Sequence, residues 1–264
     1  MRRNFLVKKF QKRAMFVGCS HGHYANADAL RQVLDFAKEF SPHHRVHLGD
    51  AWDLAAFRLR ARGTPDESES YQDDTLSAEL FLQEYKPTLF FFGNHEDRLY
   101  YLRKSGSELI RIAADAALQA ILDFFEKLKC PVVPYASIAS RDSWRLFGDT
   151  LAGHGFLYGE NATRDHVELL GRPCIHAHDH RAKMQAGRMV GAPMGYSVGT
   201  LARIPAMHYA KARRSTASWS GAIVYGEYGE GISQWQIKLL HRSEEAWVAA
   251  PEPPSPKRST RLPH

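Results

Sequence analysis

The sequence predicts a layered α/β fold, and three observations predict it. Apolar runs of strand length alternate with helix-patterned segments through the first two-thirds of the chain, and strand patterns dominate the last third. The most chemically potent polar residues fall just after those runs, where open α/β folds place their ligands. At 264 residues, 44% hydrophobic and 24% charged, the chain can bury a full core and is not a disordered one.

Each element has its own signal. Residues 14–20 (AMFVGCS) form an apolar run ending in a turn. Asn26 or Asp28 can cap a helix to about Phe40, with Leu30, Val33, Leu34 and Ala37 at helical spacing. Residues 45–48 read as a short strand, 63–75 as a polar loop, and a helix follows to about Tyr85. Residues 88–92 (TLFFF) read as a buried strand. Residues 107–129 read as a long helix whose stripe is Leu109, Ile112, Ala116, Ile121, Leu122, Phe125 and Leu128. Short strands are expected near 131–133 and 144–152, a helix near 162–170 and a strand at 173–176. Beyond 182 the pattern is strand-like, with two good strands at 218–225 and 232–240. The segment 251–264 is Pro-rich and reads as a disordered tail.

The net charge of +6 is unevenly placed. Residues 1–13, a basic arm, carry six bases and no acid, and 251–264 carry three bases against Glu252, so the 14–250 body is slightly acidic. Within that body, 181–226 holds seven bases (Arg181, Lys183, Arg188, Arg203, Lys211, Arg213, Arg214) and no acid. Such a stretch favours an anionic ligand, or is a solvated loop whose bases pair with acids from elsewhere. Tyr196, Tyr209 and Trp219 lie within it and could stack bases. No run of about 18 apolar residues exists, so no spanning helix is expected and no membrane partner. The first residues lack a long apolar core and a small-residue cleavage site, and Cys19, Cys130 and Cys174 are too scattered for a disulfide framework. A reducing, cytoplasmic location is expected.

Five segments each end an expected strand and present His, Asp, Asn or Cys: Cys19-Ser20-His21, Gly49-Asp50-Ala51-Trp52-Asp53, Gly93-Asn94-His95-Glu96, Gly153-His154-Gly155, and His176-Ala177-His178-Asp179-His180. One such segment means little, since a lone His is usually a satisfied residue and Gly-Asp usually a turn. As an ordered set they supply the imidazoles and carboxylates that divalent transition metals bind.

In this order the chain resembles the calcineurin-like metallophosphoesterase family, whose pattern is D-x-H, GD-x-x-D, GNH-D/E, a glycine-flanked His and GH-x-H. The matches are CSH, GDAWD, GNHE, GHG and AHDH, spanning roughly residues 14–182. The resemblance implies a four-layer α/β/β/α sandwich, here with a helical insertion near 98–129, and a phosphoester hydrolase with two divalent ions (Mn, Zn or Fe). By position it implies His21, Cys19 and His180 at the first metal, Asp50 bridging both, and Asn94, His154 and His178 at the second. His95 would lie beside the scissile phosphate, as general acid or as stabiliser of the leaving oxygen. Two metals roughly 3.5–4 Å apart could hold a bridging hydroxide for in-line attack at phosphorus.

Two departures bear on this. The family's opening Asp is Cys19, either a thiolate ligand that shifts preference away from Mg or a small buried residue that weakens the first site. His23, two residues beyond His21, is an alternative ligand. The glycine of GH-x-H is Ala177, and because His176, His178 and His180 alternate, strand periodicity does not choose among them. The alignment favours His178 and His180, with Arg181 following and His176 behind. Asp53 and Glu96 are read as acids that orient ligands, with a helix cap as the alternative for Asp53. Arg98 is read as a phosphate contact or a surface residue, and Tyr158, Asn161 and Arg164 as weaker pocket candidates. The substrate is expected to be a phosphodiester of nucleotides or nucleic acid. The alternatives are a phosphomonoester of nucleotides or phosphoproteins, or a scaffold with a degraded metal site. The oligomeric state has no signal.

Overall fold

The computed structural model describes residues 10–59, 61–136, 141–203, 207 and 216–241. Most of the basic arm, the tail, Tyr209, Lys211, Arg213 and Arg214 lie outside these residues.

Two sheets face each other. The first has six strands in the order β11-β10-β1-β2-β3-β4, from β1 (Lys12–Val17), β2 (His44–His47), β3 (Leu89–Phe91), β4 (Val132–Val133), β10 (Ala222–Gly229) and β11 (Ile232–Leu239). Strands β1 to β4 run parallel, and β10 and β11 add an antiparallel hairpin. The second has five strands in the order β5-β6-β7-β9-β8, from β5 (Trp144–Phe147), β6 (Thr150–Gly153), β7 (Cys174–His176), β8 (Lys183–Ala186) and β9 (Met194–Ser197). Phe16, Val46, Leu48 and Phe91 meet Phe147, Ala152, Ile175 and Tyr196 between the sheets. On the outer face of the first sheet pack α1 (Ala27–Phe40), α2 (Tyr71–Tyr85), α3 (Asn94–Leu102) and α4 (Glu108–Leu128), through Val33, Phe81, Leu99, Ile121 and Phe125. On the second, α5 (Ala162–Leu170) buries Val167 against Trp144 and Cys174. The result is the α/β/β/α sandwich; the segment expected as a helical insertion near 98–129 falls in α3 and α4, which carry the chain from β3 to its parallel neighbour β4.

Local chemistry explains the boundaries. The Asn26 side chain accepts from the Asp28 and Ala29 amides and starts α1. Ser70 accepts from Asp73 and starts α2 at Tyr71, inside the segment read as loop. Strand β1 begins two residues early because Lys12 and Arg13 pair with Tyr228 and Glu227. It stops at Val17 because Cys19 and His21 are left-handed. The expected α4 stripe is buried only in its second half: Leu109 is 79% and Ile112 58% exposed.

Candidate metal centre

The loops leaving β1, β2, β3, β6 and β7 converge at one edge of the sandwich. Backbone bonds from the Cys19, His21 and Gly22 amides to Gly49, Asp50 and Ala51 carbonyls lace the first two loops together. Cys19, His21, Asp50, His178 and His180 all have left-handed φ, between 53° and 67°. Non-glycine residues rarely hold that conformation, and such strain gathers at functional sites. Gly93 is needed for space, since a Cβ there would run into Asp50 Oδ1 and lie 2.6 Å from His154 Cε1.

Two donor clusters share Asp50. In one, donor atoms of Cys19, His21, Asp50 and His180 lie within 4.8 Å of one another. His21 Nε2 is 3.0 Å from His180 Nε2, and Cys19 Sγ is 4.0 Å from Asp50 Oδ2. In the other, Asp50, His154 and His178 group in the same way. Asn94 joins them, its Oδ1 3.2 Å from His154 Nε2, which also lies 3.3 Å from both Asp50 Oδ2 and His178 Nδ1.

The outer hydrogen bonds aim these rings. His21 Nδ1–H donates to Asp53 Oδ1 at 2.9 Å, and His154 Nδ1–H donates to the Leu48 carbonyl at 2.5 Å. Each ring therefore turns its Nε2 inward, the orientation that partners behind a ligating His impose. Around His154 Nε2 gather Asn94 Oδ1, Asp50 Oδ2 and His178 Nδ1. Amide oxygen, carboxylate and imidazole together are a donor set that suits a divalent cation. His180 Nδ1 and Asp53 Oδ2 are buried and lack a hydrogen-bond partner among the described residues. By this test the residues fit divalent metals.

The electrostatics agree. Burial works against the Asp50 carboxylate, yet His154 and His95 hold it well below the usual range. His154 is raised by Asp50 despite its burial. Burial pushes His178 down to about 3 and His95 down to about 4, and with His21 it drives His180 well below the ordinary imidazole range. For His178, His95 and His180 these shifts favour the neutral imidazole, the form that binds metals, whereas Asp50 favours the protonated form of His154. Burial and Asp50 push the Cys19 thiol up.

His95 stands beside both clusters. Its amide donates to Asp50 Oδ1, and its Nδ1–H to the Asp53 carbonyl at 2.6 Å, leaving Nε2 4.0 Å from Asp50 Oδ2. The Glu96 carboxyl accepts from the Gly93, Asp50, Ala51 and Trp52 amides and so braces the Asp50 loop. Burial and the Asp50 charge push it up to about 7, while the backbone donors pull the other way.

Other expected residues lie elsewhere. His23 turns away: its Nε2 is 3.0 Å from Glu69 and its Nδ1 3.7 Å from Asp74. His176 is packed behind, donating from Nδ1 to the Ala177 carbonyl and accepting from Thr163 at Nε2. The strand ends at His176, and left-handed turns at His178 and His180 bring both rings inward. Arg98 binds the Leu54 and Asp53 carbonyls, bracing the loop. Arg181 is tied to Ser218, Tyr158 and Asp179. In the acid-free stretch, Lys183 pairs with Asp179, and Arg188 with Glu168 and Asp165. Lys183 and Arg188 thus follow the pairing alternative, while Arg203 donates to the His23 carbonyl. Tyr196 sits in the core between the sheets and cannot stack a base, whereas Trp219 lies edge-on against His180, 4.3 Å between centroids. Tyr158 is exposed, its ring 6.3 Å from that of His178; Asn161 precedes α5, and Arg164 pairs with Asp165.

One positioning residue has no signal in the sequence. Asp74, on the first turn of α2, accepts the Asp53 and Leu54 amides at 3.0 and 2.9 Å. It thereby holds the acid that orients His21, across 21 residues of chain.

No protein-family model matches the chain, and no curated protein matches it. Among solved structures it aligns with the phosphoesterase YfcE of E. coli at 14% identity, covering 87% of this chain and 100% of that one, with a TM-score of 0.37. It also aligns with the cold-active protein tyrosine phosphatase of a Shewanella species at 10% identity, covering 87% and 80%, with a TM-score of 0.38. Superpositions this loose carry no weight for the chemistry, which rests on the residues above.

Proposed function

We propose that the chain is a metal-dependent phosphodiesterase acting on a nucleotide diester or on nucleic acid. The reading rests above all on the two donor clusters sharing Asp50, with His95 beside both. One divalent cation would be held by Cys19, His21, Asp50 and His180, the other by Asp50, Asn94, His154 and His178. When bound, the cations supply Lewis-acid stabilisation of charge on the phosphoryl oxygens and lower the pKa of attacking water.

The side chains supply the rest. Asp53, Glu96 and the Leu48 carbonyl fix the ligating groups before substrate arrives, so little reorganisation accompanies reaction. His95 Nε2, 4.0 Å from the shared Asp50 carboxylate, would place a proton on the leaving oxygen. Burial opposes the protonated ring, and a phosphate anion bound against Nε2 would counter that shift. An open groove of about 470 Å³ leads away from Asn94. Asn94, Asp97, Arg98 and Tyr101 line it at helical spacing along α3, with Arg58 and Leu59 among its other walls. Room for a second ester arm beside the centre favours a diester over a monoester.

Hydrolysis of bis-p-nitrophenyl phosphate against p-nitrophenyl phosphate, in Mn²⁺, Zn²⁺ and EDTA, tests this. A metal-dependent preference for the diester is expected. Preference for the monoester would make the chain a phosphatase, and inactivity with every metal would sink the enzymatic reading.

A further inference from the structure

The two donor clusters differ in chemistry. The Asn94 side offers an amide oxygen, a carboxylate and two imidazoles. The other offers a carboxylate, two imidazoles and the sulfur of Cys19. That sulfur is placed by its backbone. The Cys19 amide donates to the Gly49 carbonyl, and its own carbonyl accepts from the Leu201 amide and from Thr200 Oγ1 at 2.8 Å. These three bonds hold a non-glycine residue at φ 53°. From there the fully buried sulfur reaches the Asp50 carboxylate, in the same cluster as His21 and His180. The other two cysteines are packed differently: Cys130 belongs to the helix-side core, and Cys174 packs with Trp144 and Val167.

Thiolate with imidazole suits Zn²⁺, Fe²⁺ and Co²⁺ and discriminates against Mg²⁺ and Mn²⁺, whereas oxygen-rich sets accept the harder ions. We propose that Cys19 makes the centre asymmetric: its thiolate, with His21, His180 and Asp50, reserves one position for a soft divalent metal such as zinc, while the sulfur-free position at Asn94 also accepts Mn²⁺. The inference rests on the metal-centre reading above and adds to it a division of labour between metals.

The test loads the metal-free full-length chain with Co²⁺ and follows binding stoichiometry and absorption. The expected result is two equivalents bound, one giving a sulfur-to-cobalt charge-transfer band. Cys19→Ser should abolish the band and weaken Zn²⁺ at that position by more than about 100-fold. Losing a partner outside the ligand shell already costs about 10- to 100-fold. Cys174→Ser should retain the band. If Cys19→Ser fails to fold, Cys19→Asp serves: it should bind two equivalents without the band and accept Mn²⁺ at both positions. Two equivalents bound to the unaltered chain with no sulfur band, or a band that survives loss of Cys19, would overturn the asymmetry and leave the metal centre standing. Failure of the unaltered chain to bind Co²⁺ or Zn²⁺ at all would overturn both.

Discussion

Asp74 offers a test of how the site is held that needs neither metal nor substrate. Its carboxylate is buried and receives the amides of Asp53 and Leu54, both on buried residues. Asp74→Ala leaves two buried donors unpaired, each at about 1–3 kcal/mol, so about 2–6 kcal/mol in all. The lost negative charge on the first turn of α2 adds about 0.3–1 kcal/mol. Asp73→Ala isolates that second part, because Asp73 lies on the same turn, is exposed, and its side chain bonds no buried amide among the described residues. Asp74→Asn retains one acceptor and should cost about half as much as Asp74→Ala. Set against a typical stability of about 5–15 kcal/mol, the alanine change is severe. Urea unfolding in EDTA, compared at constant m, measures all three variants. If Asp74→Ala costs no more than Asp73→Ala, the 53–54 amides are held by something else, and Asp74 does not position Asp53 or, through it, His21.

Three other outcomes are expected. Asp50→Asn should remove most metal from both positions and nearly all activity, read as bound metal per chain, because one carboxylate serves both clusters. His95→Asn should keep its metals and slow turnover by about 10²–10⁴-fold; a full rate on substrates with poor leaving groups would exclude the acid role. EDTA should lower Tm relative to Zn²⁺-loaded protein, since metal at 100 times its Kd contributes about 2.7 kcal/mol, and the difference should vanish in Asp50→Asn.

The layered fold and the convergence of five loops were legible because both follow from local pattern: apolar runs set the strands, and the candidate ligands follow directly after them. The clusters around Cys19, His21, Asp50, His154, His178 and His180 were legible only as an ordered set, since no single segment says what it faces. Charge along the sequence left two readings open for a physical reason. The 181–226 stretch lacks acids of its own, but Glu168 and Asp165 on α5 lie beside Arg188 in space. Asp74 was invisible because a buried carboxylate two strand-loops away looks, in sequence, like any acid at the start of a helix.

The choice among His176, His178 and His180 shows the deeper limit. Alternation along a strand predicts that all three share a face, yet only the last two enter the clusters, because the strand stops and the backbone turns left-handed at each. Nothing in the identity of a histidine announces positive φ. The backbone contacts around it impose that geometry, at about 1–2 kcal/mol per residue. Five candidate ligands carry it, a total of roughly 5–10 kcal/mol. That is comparable to the whole stability of an ordinary domain. The interlocked amides of the 18–22 and 49–51 loops offset part of this cost, and ions that bind only the folded arrangement would offset more. The site is therefore expected to be the least stable part of the metal-free chain. Amide hydrogen exchange should find the loops after β1 and β7 opening before the sheets, and metal should suppress that opening first.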